Sequence, residues 1–226
     1  MKKKILIVTA LFVSAYLLQS CDNANNGTTK NELDSSMSNM AQNDSMNSDK
    51  MQMNNGMMQS MSSMMGKMDQ MKMTGDFDLD FANMMIMHHQ AAIDMSEVEI
   101  AKGTDEQIKT MAKNIIKAQN AEIEQIQAFI KNYKMPEAKK KNEEMHNELG
   151  KTMKAMMDKM NNIHMTGNAD KDFVIMMIPH HESAVTMAED ELTHGKQLGL
   201  KKMAQKMISD QSKEINEFKA WLSNHK

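Results

Sequence analysis

Two six-residue stretches, Met84-Met85-Ile86-Met87-His88-His89 and Met176-Met177-Ile178-Pro179-His180-His181, each place two thioethers one helical turn ahead of two imidazoles. Residues three and four apart share a face of a helix. Met84 and Met85 therefore stand beside His88 and His89, and Met176 and Met177 beside His180 and His181. Thioether sulfur with imidazole nitrogen is a soft donor set. It suits Cu(I) or Ag(I) and is poorly matched to calcium, magnesium or phosphate. A lone histidine on an apolar face is ordinarily a packed structural residue. Adjacent pairs, used twice and each a turn after Met-Met, are harder to read as packing.

The elements that must position these groups are helices. Aromatic residues make up 4% of the 226, and glycine and proline together number eleven (9 + 2), which argues against a sheet-rich fold. Good helix formers fill the second half of the chain. All basic residues are lysine, so the bidentate guanidinium used for phosphate and carboxylate recognition is missing. Charges of both signs are interspersed, with 27 basic against 30 acidic residues, and no nucleic-acid footprint emerges. Methionine is the anomaly. Thirty-one residues is a heavy excess for a flexible side chain that specifies packing poorly.

Residues 1–21 read as a lipoprotein signal peptide. Lys2 to Lys4 form a charged start, Ile5 to Leu18 an apolar core, and Leu18-Gln19-Ser20-Cys21 a small-residue close before the chain's one cysteine. The apolar run is short for a membrane span. Lipidation at Cys21 would tether the mature chain in the cell envelope, facing the periplasm or the exterior, with no free thiol or disulfide. Without Lys2, Lys3 and Lys4 the balance becomes 24 basic against 30 acidic residues, a net charge of −6. Residues 22–55, rich in Asn, Ser, Asp and Met, read as a disordered tether.

From Met57 the spacing turns helical. Met57, Met58, Met61, Met64, Met65 and Met68 form one stripe, which on spacing alone is a core or docking face. Gly75 breaks this helix, and Asp76 or Asp78 can cap the next, over about 78–102. Its apolar face carries Phe81, Met84, Met85, His88, Ala92, Met95 and Val98. Gly103 ends it. Thr104, with Gln107 three residues on, predicts a capping box for a third helix reaching about Tyr133. Gln119 and Glu122 lie on that helix's apolar stripe. Buried polar groups need partners, and the natural ones are the histidines, since a ligating imidazole usually gives its second N–H to a carboxylate or carbonyl.

After Pro136 the pattern repeats at an offset of 92 residues without a gap. Met61, Met64, Met65 and Met68 recur as Met153, Met156, Met157 and Met160. Phe81 recurs as Phe173, Met95 as Met187 and Gly103 as Gly195. Gln119, Glu122 and Ile123 recur as Gln211, Glu214 and Ile215. This is an internal duplication: a first repeat over 56–133 and a second over 134–226. It moves the Met helices from docking face toward part of the site. Candidate metal ligands are His88, His89, His180 and His181 with Met84, Met85, Met95, Met176, Met177 and Met187. Gln119, Glu122, Gln211 and Glu214 stand behind the histidines. Pro179 replaces Met87, which predicts a bend in one copy and two sites that differ. His146, His164 and His194 have no counterpart in the other copy.

The twin Met-Met-Ile-x-His-His segments, each followed by a Gln-x-x-Glu-Ile helix, resemble the domain-of-unknown-function 305 family over roughly residues 76 to 225. The resemblance implies a ferritin-like helical bundle, and, from exported Met/His-rich members, binding of monovalent copper and silver. His88, His89, His180 and His181 are by that resemblance the signature residues. The fold expected is all-α: a ferritin-like bundle built by tandem duplication, with added Met-rich helices and the N-terminal tether. The function expected is capture of Cu(I) or Ag(I) for sequestration, buffering or resistance. A copper-delivery or efflux partner remains unidentified, and no catalytic residues are assigned. Two alternatives stand. One is a di-iron or copper oxidase, signalled by Glu143-x-x-His146 and Glu191-x-x-His194, which are not equivalent in the duplication. The other is a metal-free docking lipoprotein with pH-responsive histidines.

Overall fold

The computed structural model describes residues 56–135 and 143–225. Six helices run through them: α1 over 56–70, α2 over Phe77–Lys102, α3 over Glu106–Asn132, α4 over Glu143–Asn161, α5 over Ala169–His194 and α6 over Leu198–Asn224. The described residues contain no strand. The fold is an all-α bundle made of two three-helix units, as the 92-residue repeat predicts.

The turn into the central helix of each unit is built identically. Gly75 (φ 87°) and Gly167 (φ 78°) take left-handed backbone that other residues rarely adopt. The buried Asp80 carboxylate accepts from Thr74 N (2.7 Å), Thr74 Oγ1 (2.8 Å) and Gly75 N (3.2 Å). Asp172 does the same for Thr166 N, Thr166 Oγ1 and Gly167 N at 2.6, 2.7 and 2.9 Å. Asp76 and Asn168 cap α2 and α5 by accepting from Leu79 N and Lys171 N.

α2 pairs with α3 and α5 with α6, and α2 and α5 meet across the middle. α4 lies on α5. Gly56, at the start of α1, sits against Val98 of α2, where an added Cβ would lie 3.2 Å from the valine. Phe81, Phe173, Phe218 and buried methionines of all six helices form one continuous core. Met57, Met61 and Met64 on α1 and Met153, Met156 and Met160 on α4 belong to it, whereas Met58 is exposed.

The two units are cross-locked. Asp78, at the start of α2, accepts from Lys196 N (2.8 Å) and Gln197 N (2.7 Å) in the α5–α6 turn. Asp170, at the start of α5, accepts from Thr104 N, Thr104 Oγ1 and Asp105 N in the α2–α3 turn, at 2.8–2.9 Å. Behind each aspartate is a fully buried glutamate of the opposite helix end, Glu191 behind Asp78 and Glu99 behind Asp170. Burial, aided by those neighbouring carboxylates, pushes Glu99 and Glu191 up to about 9, so both are protonated at neutral pH and can donate to the aspartates.

Several local expectations change. Asp105, not Thr104, caps α3, accepting from Gln107 N and Ile108 N, because the Thr104 hydroxyl is given to Asp170. Gly103 and Gly195 end their helices in extended backbone. Their lack of a Cβ matters for space, since one would fall 2.0 and 2.1 Å from the carboxyls of Glu99 and Glu191. α5 continues unbroken through the buried Pro179. The expected signal peptide with Cys21, the tether and Pro136 lie outside the described residues. Among the described residues no helix is long and apolar enough to cross a membrane.

Candidate metal centre

All four histidines of the two pairs are fully buried. Because α2 and α5 meet at the middle, the repeats place His88 against His180, with ring centroids 3.7 Å apart and planes tilted by 35°. His89 and His181 point the other way, each toward its own hairpin partner. His89 Nε2 donates to Glu122 Oε2 of α3 and His181 Nε2 to Glu214 Oε2 of α6, both at 2.9 Å. His181 also meets Phe218 edge to face at 5.9 Å.

These bonds decide which nitrogens keep a lone pair. A carboxylate only accepts, so His89 and His181 donate through Nε2–H, and the neutral form of each ring keeps its lone pair on Nδ1. His88 Nε2 lies 2.7 Å from Ser183 Oγ. That hydroxyl has one hydrogen, and it faces two groups that only accept, His180 O at 2.7 Å and Met156 Sδ at 3.0 Å. His88 must then be the donor through Nε2–H, and its Nδ1 is also bare. The Nδ1 atoms of all four histidines, and Nε2 of His180 as well, are buried without a hydrogen-bond partner. Burial, and next the charges of the neighbouring histidines, hold His88 and His180 well below the ordinary imidazole pKa. Both are neutral, the form that binds metal.

The units differ at one position that matters here. Ser183 corresponds to Ala91. His88 thus has a hydroxyl partner and His180 none, which is why both ring nitrogens of His180 are orphaned.

Met84, Met85, Met95, Met176, Met177 and Met187 are all buried members of the hydrophobic core. The thioether tied to the histidines by hydrogen bonds, however, is Met156 of α4, through Ser183. Spacing within α5 could not reveal a contact across to another helix. Glu122 and Glu214 take the expected place behind the histidines. Gln119 and Gln211 do not. They are buried, but Gln119 Oε1 and both polar side-chain atoms of Gln211 have no partner. Each sits one turn before its glutamate, and the glutamate has already taken the imidazole N–H.

Three further histidines stay apart, and the His146 side chain lies outside the described residues. His164 is exposed and bonds to Asn162 O, His194 packs on Phe77, and His225 stacks on Trp221. Glu191 is buried beside Asp78. No group of three or more His, Cys, Asp or Glu converges on one point among the described residues. What converges is buried imidazole in a methionine-rich core. Such a donor set fits a soft monovalent ion.

The family model for the domain of unknown function DUF305 matches residues 17–130 and again 78–222. Among solved structures, CopM in a Cu(II)-bound form is 30% identical, covering 66% of this chain and 97% of that one, with a TM-score of 0.50. Its Cu(I)-bound form is 31% identical, over 65% and 96%, at 0.47. Its Ag-bound form obtained by soaking is 31% identical, over 68% and 98%, at 0.49. A DUF305 protein from Streptomyces coelicolor is 21% identical, over 67% and 95%, at 0.52. No curated protein matches.

Proposed function

From the premise that this chain belongs to the DUF305 family, we propose that it is an exported lipoprotein that binds Cu(I), and Ag(I) as its chemical analogue, to sequester or buffer the ion outside the cytoplasm. One observation carries the reading: four buried imidazoles, each with an unpartnered Nδ1, sit in a methionine core. Orphaned buried polar atoms are rare and costly, and these four are imidazole nitrogens, donors suited to a soft metal. The carboxylates of Glu122 and Glu214 fix ring orientation and raise donor strength, the usual role of an outer partner of a ligating histidine. The relative CopM, solved with Cu(I) and with Ag, is similar over nearly its whole length. Thioethers suit an oxidising compartment, where paired cysteines form disulfides. The segment ending at Cys21 supports anchoring at the membrane.

On this reading the chain performs no catalysis and hands its ion to a partner protein yet to be identified. A di-iron oxidase draws less support, since Glu191 lies beside Asp78 at a helix end and His194 packs on Phe77, and no group of three or more His, Cys, Asp or Glu converges among the described residues; the side chains of Glu143 and His146 lie outside those residues. The test is an anaerobic Cu(I) titration of residues 22–226 against a chromophoric chelator. The same titration is run on a variant with His88, His89, His180 and His181 changed to alanine. The wild type should strip copper from the chelator and the variant should lose the tight class. Failure of both proteins to compete overturns the copper reading and favours metal-free docking.

A further inference from the structure

The histidines of the centre are fully buried, so an ion bound there must cross the wall of the bundle. We propose that the groove between α4 and α5 is the way in, and that Met156 and Ser183 pass the ion from its floor to His88 and His180. This rests on the binding function proposed above.

A cavity of about 260 Å³ opens between the two helices. Ala155 and Thr186 are exposed on opposite walls, and Met156 and Ser183, both buried, line its depth. From there a chain of contacts leads inward, Met156 Sδ to Ser183 Oγ at 3.0 Å and Ser183 Oγ to His88 Nε2 at 2.7 Å. The sulfur and the hydroxyl oxygen each carry a lone pair, and the His88 ring they lead to offers its own at Nδ1. Rotation of the hydroxyl off Sδ frees the sulfur for a soft ion, and the next donors are the imidazoles. The lysines near the mouth do not bar a cation. Lys159 and Lys219 are both paired with Glu182, at 2.9 and 3.0 Å, and Lys151 with Glu148 at 2.9 Å.

Neither alternative path has these features. In the first unit Ala91 replaces Ser183 and Gln90 replaces Glu182, so no hydroxyl joins Met64 to the rings. A second cavity, about 240 Å³, lies between α3 and α6 and reaches Glu214, the partner of His181. Its carboxylates, Asp210, Glu214 and Glu217, offer hard oxygen donors, Lys213 adds an ammonium, and its one thioether, Met111, has no hydroxyl beside it in the lining.

The experiment follows anaerobic transfer of Cu(I) from its bicinchoninate complex to the full-length protein by stopped flow. Rate and final occupancy are read together, because a route affects the first and a ligand the second. Ala155→Trp and Thr186→Trp plug the groove from opposite walls. Each should slow transfer by about tenfold or more while leaving final occupancy unchanged. Ser183→Ala, which installs the residue found in the first unit, should slow it in the same sense. Ser63→Trp, the counterpart of Ala155→Trp on α1, and Ala118→Trp in the second cavity should leave the rate unchanged. Wild-type rates in both groove variants, or slowing by Ala118→Trp alone, overturn the route while the binding function stands. Absence of transfer to the wild type overturns the binding function itself and the route with it.

Discussion

Ser183 and Ala91 occupy equivalent places in the duplicated sequence, and the difference between them sets the chemistry of the histidine pair. With the Ser183 hydroxyl taken by acceptors, His88 is fixed as the Nε2–H tautomer, and neither nitrogen of His180 has a hydrogen-bond partner. The histidines themselves were legible in the sequence because two copies retained the same residue types at the same spacing. Met156 and Ser183 were not. One is a methionine among many on a helix whose neighbour is set only by packing, and the other marks a position where the copies disagree. The buried neutral rings have a consequence for stability. His88 and His180 are held well below the ordinary histidine value of 6.5 by burial. As pH falls below 6.5 the unfolded chain takes up protons that the folded chain refuses, so stability is lost with acidification. Urea midpoints of the metal-free protein should fall between pH 7.5 and 5.5, and a variant carrying His88→Gln and His180→Gln should show a shallower fall. Equal slopes would contradict neutral burial of these rings.

At the scale of elements, the helix ends carry as much design as the helix faces. Gly103 reads from the sequence as a helix stop and recurs as Gly195; both end their helices in extended backbone, and what they provide is room for Glu99 and Glu191. Gly103→Ala would drive a Cβ into the Glu99 carboxyl and the carbonyl of the same residue, 2.7 Å away. A cost of about 1–3 kcal/mol is expected, as for other overpacked sites. A denaturation midpoint indistinguishable from wild type would refute it. The glutamates themselves were missed as structural groups. Their only sequence signal is retention at the 92-residue offset, and their partners Asp170 and Asp78 lie on another helix. With values near 9, they keep their protons in the folded state while the unfolded chain releases them above about 4.5. Stability therefore declines as pH rises between these limits. Lys109 and Asp105 also face Glu99, and Lys201 and Asp76 face Glu191, and the lysines temper the rise. Glu99→Gln with Glu191→Gln keeps a donor for each aspartate and removes the titration. This variant should gain on the wild type steadily from pH 5 to 9. A constant difference across that range would mean the carboxyls are not protonated.

For the whole molecule, the duplication is the organising fact, and it was readable before any fold was known: six helices, two units and a core shared between them. What the repeat could not specify was how the units meet. Sequence left open whether the two sites are separate or merge. Packing of α2 on α5 merges them, bringing His88 and His180 to 3.7 Å, while Asp78 and Asp170 lock each unit's turn to the other's helix. The positions of Asp78 and Asp170 along the chain give no hint of this exchange, because each bond spans more than sixty positions. The centre is thus a property of the assembled bundle, with imidazole from both units and sulfur around them. X-ray absorption at the copper edge of the protein loaded with one equivalent of Cu(I) tests that claim most directly. Mixed nitrogen and sulfur coordination is predicted, with the nitrogen contribution removed by changing His88 and His180 to alanine. A first shell of sulfur alone, unchanged in that variant, would contradict the account and place the ion on the methionine helices instead.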